Sequence, residues 1–262
     1  MAASLKKYVI DLSSYTNYGT AAKKIITDIV ENLGLTVIEV LTNTQSTYKV
    51  NTYYGSDKKL IIQFYNSNGS VYAYILKKGE SGNYATLNSI QIASFTYGSA
   101  YSISYLIYTL GEAKIYTQNS FLNYPSTNLF VSSMLNTVDA KEYTIAGALG
   151  TDNISTMGYS HYRMYSLSWC IVNSDNSSAM ISRLSDASDV LIPSDGKVYL
   201  VPVRVTVNDW NLIGLIGGKE NWYRAYCNVD GVKSTPDFVP GQPITIGGVS
   251  GIGFGNLVYV DK

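Results

Sequence analysis

Few residues of this sequence have the types and spacing that acid–base or metal chemistry requires. His161 is the single histidine among 262 residues, although histidine is the usual general base and the commonest metal ligand. A serine nucleophile would need a Gly-x-Ser-x-Gly elbow and a zinc site would need pairs such as Cys-x-x-Cys, and the sequence contains neither. We therefore predict that His161 is a strand-edge or surface residue, that the protein is not an enzyme, and that it holds no metal or cofactor.

Two oxygen-rich runs leave a calcium site open as the lesser alternative. Ser174-Asp175-Asn176 and the Asp186–Asp189 run offer closely spaced oxygen ligands, but neither matches the twelve-residue loop with its closing glutamate. Turn formation explains such clusters more often, because Asp, Asn and Ser side chains bond to the local backbone. A carboxylate pair of the glycosidase kind also stays open, since such a pair is assembled in space rather than in sequence.

The glycine-rich run from Gly247 to Gly255 resembles a phosphate-binding loop only in composition. A phosphate loop needs a strand before it and a helix after it, so that the helix N-terminus meets the phosphate. Here the run is followed by Asn256-Leu257-Val258-Tyr259-Val260, which is typical of a strand. We predict a tight β-turn with a bulge.

Tyrosine supplies the candidates for a binding surface, with 24 Tyr against 6 Phe and 3 Trp. Its ring buries apolar area while its hydroxyl reaches water or a partner. Aromatic and arginine residues, which are enriched at interface hot spots, cluster at two places. The predicted binding residues are Tyr162 and Tyr165 in one cluster, and Trp222, Tyr223 and Arg224 in the other. The alternative, which the abundance of tyrosine favours, is cross-strand aromatic pairing worth roughly 0.2–1 kcal/mol per pair.

The first 120 residues are predicted to form an α+β domain, with one amphipathic helix on an antiparallel meander. From Thr20 to Leu33 apolar residues recur at helical spacing, Thr20 is the candidate N-cap, and Gly34 supplies the left-handed stop. Asn68-Gly69 is a strong hairpin signal, because both residues accept positive φ. Alternating and apolar runs predict strands at Leu35–Leu41, Tyr48–Tyr54, Leu60–Tyr65, Val71–Leu76, Ser89–Phe95, Ser102–Leu110 and Lys114–Thr117.

Residues 121–160 are predicted to be a linker or domain junction, and residues 161–262 an all-β domain of sandwich or barrel type. Within the junction, Phe130–Val138 is compatible with either a strand or a short helix. Pro202 lies inside a long predicted strand, which favours an edge position or a bulge. The predicted strands of this part are Tyr162–Val172, Lys197–Val207, Trp222–Val229, Pro243–Ile246 and Leu257–Val260.

Charge and hydropathy narrow the classes of partner. Nineteen basic and nineteen acidic residues cancel, so no net field draws the protein to nucleic acid, and we expect no nucleic-acid role. No apolar run is long enough to cross a membrane, and the first residues lack the apolar core of a secretory signal. Near-zero net charge also favours association, and we therefore expect a homo-oligomer made in a cytoplasm.

Both ends of the sequence resemble a known group of proteins. The run Lys219–Tyr226, the Pro240-Gly241 pair with its Ile244-Thr245-Ile246-Gly247-Gly248 continuation, and Phe254–Leu257 resemble the C-terminal end of virion structural proteins from phages of Gram-positive bacteria. The strand, amphipathic helix and Tyr/Asn/Ser-rich meander at the start resemble them too. The resemblance implies a noncatalytic subunit of the tail, baseplate, neck or capsid surface, and it carries over no functional residue.

The sequence thus predicts a virion subunit whose partners are other virion proteins and copies of itself. The alternative is a carbohydrate- or receptor-binding module of the host-recognition apparatus, which would use Trp222 or the tyrosines around Tyr162.

Overall fold

The computed structural model of the chain describes most of its N-terminal half and a set of strands beyond it. The described residues are 4–55, 58, 60–79, 81–118, 128–136, 142–152, 164–172, 178–181, 191–202, 205–206, 213–216, 221–236, 238–255 and 257–261.

These residues form twenty strands and one helix. In chain order they are β1 (Ser4–Asp11), α1 (Tyr18–Leu33), β2 (Thr36–Asn43), β3 (Tyr48–Tyr53), β4 (Leu60–Ser67), β5 (Ser70–Lys78), β6 (Tyr84–Ser94), β7 (Ser102–Leu110), β8 (Ala113–Thr117), β9 (Asn128–Asn136), β10 (Glu142–Asp152), β11 (Met164–Val172), β12 (Ser178–Ile181), β13 (Val198–Pro202), β14 (Val205–Thr206), β15 (Ile213–Ile216), β16 (Trp222–Val229), β17 (Val232–Ser234), β18 (Phe238–Ile246), β19 (Val249–Gly255) and β20 (Leu257–Tyr259).

The predicted helix is confirmed as α1, but its N-cap is Asn17 rather than Thr20. Asn17 has extended backbone angles, and its Oδ1 accepts hydrogen bonds from the Thr20 amide at 3.0 Å and the Thr20 hydroxyl at 2.9 Å. Thr20 therefore lies in the first turn as the partner of the cap. Gly34 ends the helix in the left-handed region with φ 70°, as predicted.

The strands form three antiparallel sheets. A five-stranded sheet has the order β2-β3-β4-β5-β6 and is a simple meander. A nine-stranded sheet has the order β1-β7-β8-β9-β10-β11-β12, with β14 and β15 attached through β9. A six-stranded sheet has the order β13-β16-β20-β19-β18, with β17 attached to β16.

The predicted meander is confirmed only for β2 to β6. Strands β7 and β8, which the sequence placed in the same meander, belong instead to the nine-stranded sheet, where β7 pairs with β1 and β8 pairs with β7. Alternation of polar and apolar residues identifies a strand but not its partner, and the partner of β7 lies on the far side of α1 in sequence. Chain order alone therefore assigned β7 and β8 to the wrong sheet.

The stretch predicted as a linker or junction, residues 121–160, contains two strands of the nine-stranded sheet. Strand β9 pairs with β8, and β10 pairs with β9 and β11. Residues 128–136 and 142–152 of this stretch are therefore strands, and the choice left open at Phe130 resolves to strand. The nine-stranded sheet contains strands from before residue 121, from 121–160 and from after residue 160. The predicted domain boundaries therefore do not coincide with the boundaries of this sheet.

The long strand predicted at Lys197–Val207 is wrong, because β13 and β14 belong to different sheets. The edge position predicted for Pro202 is confirmed, since β13 lies at one end of its sheet. Proline has no amide hydrogen to donate and so suits an edge strand. The glycine-rich run begins with the turn of the β18–β19 hairpin, where Gly247 and Gly248 have φ of 56° and 81°, and continues as β19.

The nine-stranded sheet packs on both faces. Ile103, Tyr105 and Ile107 of β7 lie in a core shared with α1 and the five-stranded sheet. On the other face, Tyr108 meets Phe254 of the six-stranded sheet with ring centroids 5.1 Å apart. Residues on both faces of β7 are therefore buried, as expected for a strand that is covered on two sides.

Candidate functional site

Three of the predicted binding residues are buried in β16. Trp222, Tyr223 and Arg224 are only 5%, 9% and 7% exposed. The Trp222 ring meets Phe130 at 6.0 Å and Tyr259 at 5.4 Å between centroids. Because alternate residues point to opposite faces of a strand, Tyr223 joins a separate cluster on the other face of the six-stranded sheet. This burial favours the cross-strand packing alternative for all three side chains.

The other predicted residues are not brought to the same place. Tyr165 lies in β11 of the nine-stranded sheet, opposite Thr151 in β10, and so belongs to a different sheet from Trp222. Tyr162, His161 and the two oxygen-rich runs at 174–176 and 186–189 lie outside the described residues.

The described residues show few of the arrangements that chemistry would need. They contain no group of three or more His, Cys, Asp or Glu side chains placed to hold a metal ion. The helix among them, α1, does not have the length and apolar run that crossing a membrane requires. That the protein is not an enzyme stays a prediction from the sequence.

Tyrosines gather instead on one face of the five-stranded sheet. The core-facing side is apolar and includes Ile62, Val71 and Ile75, and the register then sends the alternate residues outward. We name this outward side the tyrosine face; it carries Tyr53, Tyr65, Tyr72, Tyr74 and Tyr84. A single sheet face thus presents five phenol groups away from the core.

Three of these side chains form a compact group, the tyrosine triad of Tyr65, Tyr72 and Tyr74. Each pair of ring centroids is 6.4 Å apart, with interplanar angles of 29°, 54° and 40°. All three residues are half-buried, and within the described part of the chain their hydroxyls have no hydrogen-bond partner. The triad therefore presents ring surface and free hydroxyls together.

Polar groups and a cation surround the triad. The Lys49 ammonium lies 5.9 Å from the centroid of the Tyr65 ring, a cation–π distance. Gln91, the cross-strand neighbour of Tyr72, donates from Nε2 to the hydroxyls of Ser70 at 3.2 Å and Ser94 at 3.0 Å. Its position is thereby fixed while its amide oxygen stays available on an exposed residue.

A polar network holds the opposite end of the tyrosine face. Gln63 donates to Asn51 at 2.8 Å, and Asn51 donates to the Glu39 carboxylate at 2.8 Å. Tyr84 is hydrogen-bonded to both Glu39 and Asn51, and burial, followed by the charge of Glu39, raises the pKa of Tyr84. The carboxylate of Glu39 is therefore engaged within the sheet.

The edge of the same sheet carries a second exposed feature. In β2, Val37, Ile38, Val40 and Leu41 are 49%, 40%, 51% and 45% exposed. The ladder with β3 is irregular at two points, between Val37 and Glu39 and between Val40 and Thr42. As a result Val37 and Val40 both lie opposite core-facing residues of β3, while Glu39 lies opposite Asn51 on the tyrosine face.

The other edge of this sheet is partly covered. At the end of β6 the Gln118 side chain accepts from the Ser94 amide at 2.7 Å and donates to the Ser94 carbonyl at 2.7 Å. A side-chain amide thus occupies the place of a neighbouring strand, which is one way to blunt a sheet edge. The opposite edge strand, β2, instead exposes apolar side chains.

No family model, curated protein or solved structure matches this chain. What the protein does has to be inferred from its own residues.

The sequence contained a signal for the tyrosine triad that the sequence reasoning did not use. A two-residue Asn68-Gly69 turn fixes the hairpin register, and that register places Tyr65 directly opposite Tyr72. Tyr74 follows two residues later on the same face. Local clustering in the sequence pointed to Trp222 instead, because its neighbours Tyr223 and Arg224 are adjacent in the chain.

Proposed function

We propose that this protein is a noncatalytic structural subunit of a bacteriophage virion, belonging to the tail, baseplate, neck or capsid surface. It assembles through β-sheet edges with copies of itself or with other virion proteins. The observation that carries the proposal is β2, an edge strand with seven of its eight residues exposed and four large apolar side chains among them.

An edge of this kind is costly for a protein that stays alone. Its outward amide and carbonyl groups can pair with another strand, and apolar side chains there promote association. Strand addition satisfies the backbone groups and buries the side chains in one step. Strand β1, at one end of the nine-stranded sheet, offers a second edge where Leu5 and Val9 are 53% and 65% exposed.

The virion assignment is supported by the sequence. The resemblance of both chain ends to phage structural proteins points to a particle component. The balance of nineteen basic and nineteen acidic residues gives little self-repulsion, which suits a subunit that associates.

The test is the oligomeric state of the purified protein, measured by size-exclusion chromatography with light scattering. We expect an oligomer for the wild type and a monomer for Val40→Lys, because lysine on an edge strand opposes pairing. The matched control is Val249→Lys, whose parent side chain is 40% exposed beside the β18–β19 turn and which should leave the oligomer intact. Mass spectrometry of purified virus particles should also detect the protein. A wild-type protein that stays monomeric at high concentration and is missing from the particles would contradict the proposal.

A second candidate function is a carbohydrate- or receptor-binding module on the same particle. The tyrosine face favours it, since aromatic rings with a polar rim suit ligand binding better than the buried Trp222 does. For the fold we also propose that the six-stranded sheet, which contains part of the 161–262 region predicted to be of sandwich or barrel type, is barrel-like. Its support is the contact between β13 and β18, the two ends of the strand order.

A further inference from the structure

We propose that the tyrosine triad binds an acidic glycan, a polymer of sugar rings that bear carboxylate or phosphate groups. The site consists of Tyr65, Tyr72 and Tyr74 with Lys49 and the polar rim at Gln91. It deepens the second candidate function by naming its site and ligand class, and it does not depend on the assembly proposed above.

The rings supply the surface for sugar stacking. The electron-rich face of an aromatic ring attracts the C–H groups on the face of a pyranose, and three ring centroids spaced 6.4 Å apart offer a patch wider than one ring. The strands below hold these half-buried side chains in place. Little side-chain freedom is therefore lost when a ligand binds.

The rim supplies hydrogen-bonding groups suited to a hydroxyl-rich ligand. The three phenol hydroxyls have no partner among the described residues, and the exposed Gln91 lies opposite Tyr72 on β6. A polar rim of this kind fits a sugar chain better than an apolar peptide, because each ligand hydroxyl displaced from water finds a donor or acceptor.

Charge selects an acidic ligand. Lys49 lies over the Tyr65 ring, and Lys78 lies opposite Tyr84 on the same face. Across strands β2 to β6 the acidic residue on this face is Glu39, which is bonded to Asn51 at the far end from the triad. The whole chain has zero net charge, but this face carries more cationic than anionic side chains and therefore attracts an anion.

Isothermal titration calorimetry with three probes tests the proposal. Galacturonic acid oligosaccharide carries both sugar rings and carboxylates, isomaltose oligosaccharide carries rings alone, and inorganic polyphosphate carries charge alone. We expect the acidic oligosaccharide to bind most tightly. Tyr72→Ala should weaken that binding by about tenfold, which corresponds to roughly 1.4 kcal/mol, while Tyr72→Phe should keep most of it because the ring remains.

Two further variants complete the test. Lys49→Gln should weaken the acidic probe and reduce the salt dependence of its binding, with no effect on the neutral probe. Tyr199→Ala, on β13 and away from the site, should leave binding unchanged and serves as the matched tyrosine control. Equal binding of neutral and acidic oligosaccharides, equal binding of polyphosphate, or an unaltered affinity in Tyr72→Ala would each overturn the proposal.

The outcome is separable from that of the assembly proposal. Val40→Lys changes the sheet edge and leaves the triad in place, so a monomeric Val40→Lys protein should bind the acidic oligosaccharide as the wild type does. Failure of glycan binding with an intact oligomer counts against this site alone. Failure to oligomerise with intact glycan binding counts against the proposed assembly alone.

Discussion

The hydroxyl groups of Tyr105 and Tyr116 meet opposite environments in one core, although their rings are only 5.1 Å apart. Tyr105 donates to the Asp28 carboxylate at 2.6 Å and accepts from Asn32 at 2.9 Å, which ties β7 to α1. The Tyr116 hydroxyl is buried without a hydrogen-bond partner among the residues that the structure describes. A buried polar group without a partner lowers stability by its desolvation, whereas a bonded one offsets that loss.

Replacing each of these tyrosines by phenylalanine should therefore change stability in opposite directions. Tyr116→Phe removes an unsatisfied group, and we expect the free energy of unfolding to rise by about 1 kcal/mol. Tyr105→Phe removes bonds to Asp28 and Asn32, and we expect a fall of about 2 kcal/mol. Urea denaturation measures both; a fall in the Tyr116 variant would mean that its hydroxyl has a partner in solution.

The same two residues predict how stability depends on alkaline pH. Burial raises the pKa of Tyr105 and of Tyr116 above the ordinary value of 10.0, so both stay protonated in the folded state when the unfolded chain begins to ionise. The unfolded state then binds fewer protons than the folded state, so the contribution of these two tyrosines to stability is constant below about pH 10 and falls above it. The fall should be shallower in Tyr116→Phe than in the wild type. Parallel curves from urea unfolding at rising pH would contradict this.

At the scale of elements, the start of α1 depends on Asn17. Its Oδ1 accepts from the Thr20 amide at 3.0 Å, so Asn17→Ala should lower the free energy of unfolding by about 1 kcal/mol. Asn17→Ser should restore most of it, because serine can make the same cap. Thr20→Ala is the control for the cap position expected from the sequence, and we expect a smaller loss there. Equal losses at both positions, measured by urea denaturation, would place the cap in doubt.

Element type was readable from the sequence, while strand partners were not. Helical spacing and Gly34 predict α1, and the Asn68-Gly69 turn predicts the β4–β5 hairpin with the register that forms the triad. Each of these signals is local. The pairing of β1 with β7 and the burial of Trp222 against Phe130 join distant parts of the chain, and no local pattern encodes them. A site on one hairpin could therefore be derived from the sequence, whereas the burial of a predicted site residue could not.

At the scale of the whole molecule, aromatic contacts join the six-stranded sheet to the nine-stranded sheet. Trp222 lies between Phe130 of β9 and Phe254 of β19, at 6.0 Å and 6.2 Å between ring centroids. Aromatic pairs of this kind add to the large apolar area that each ring buries. The layers should consequently unfold together rather than one at a time.

Trp222→Ala tests this coupling. It also distinguishes a packing role for Trp222 from the binding role that the sequence predicted. Removing a buried tryptophan should lower the free energy of unfolding by about 3–5 kcal/mol, and Trp222→Phe should cost less because a ring still meets Phe130. If Trp222 were a surface binding residue, Trp222→Ala would instead leave the urea midpoint unchanged. Circular dichroism and tyrosine fluorescence should follow one shared transition in the wild type and in both variants. Two separated transitions in the wild type would show that the six-stranded sheet unfolds on its own and that the contacts at Trp222 do not couple the layers.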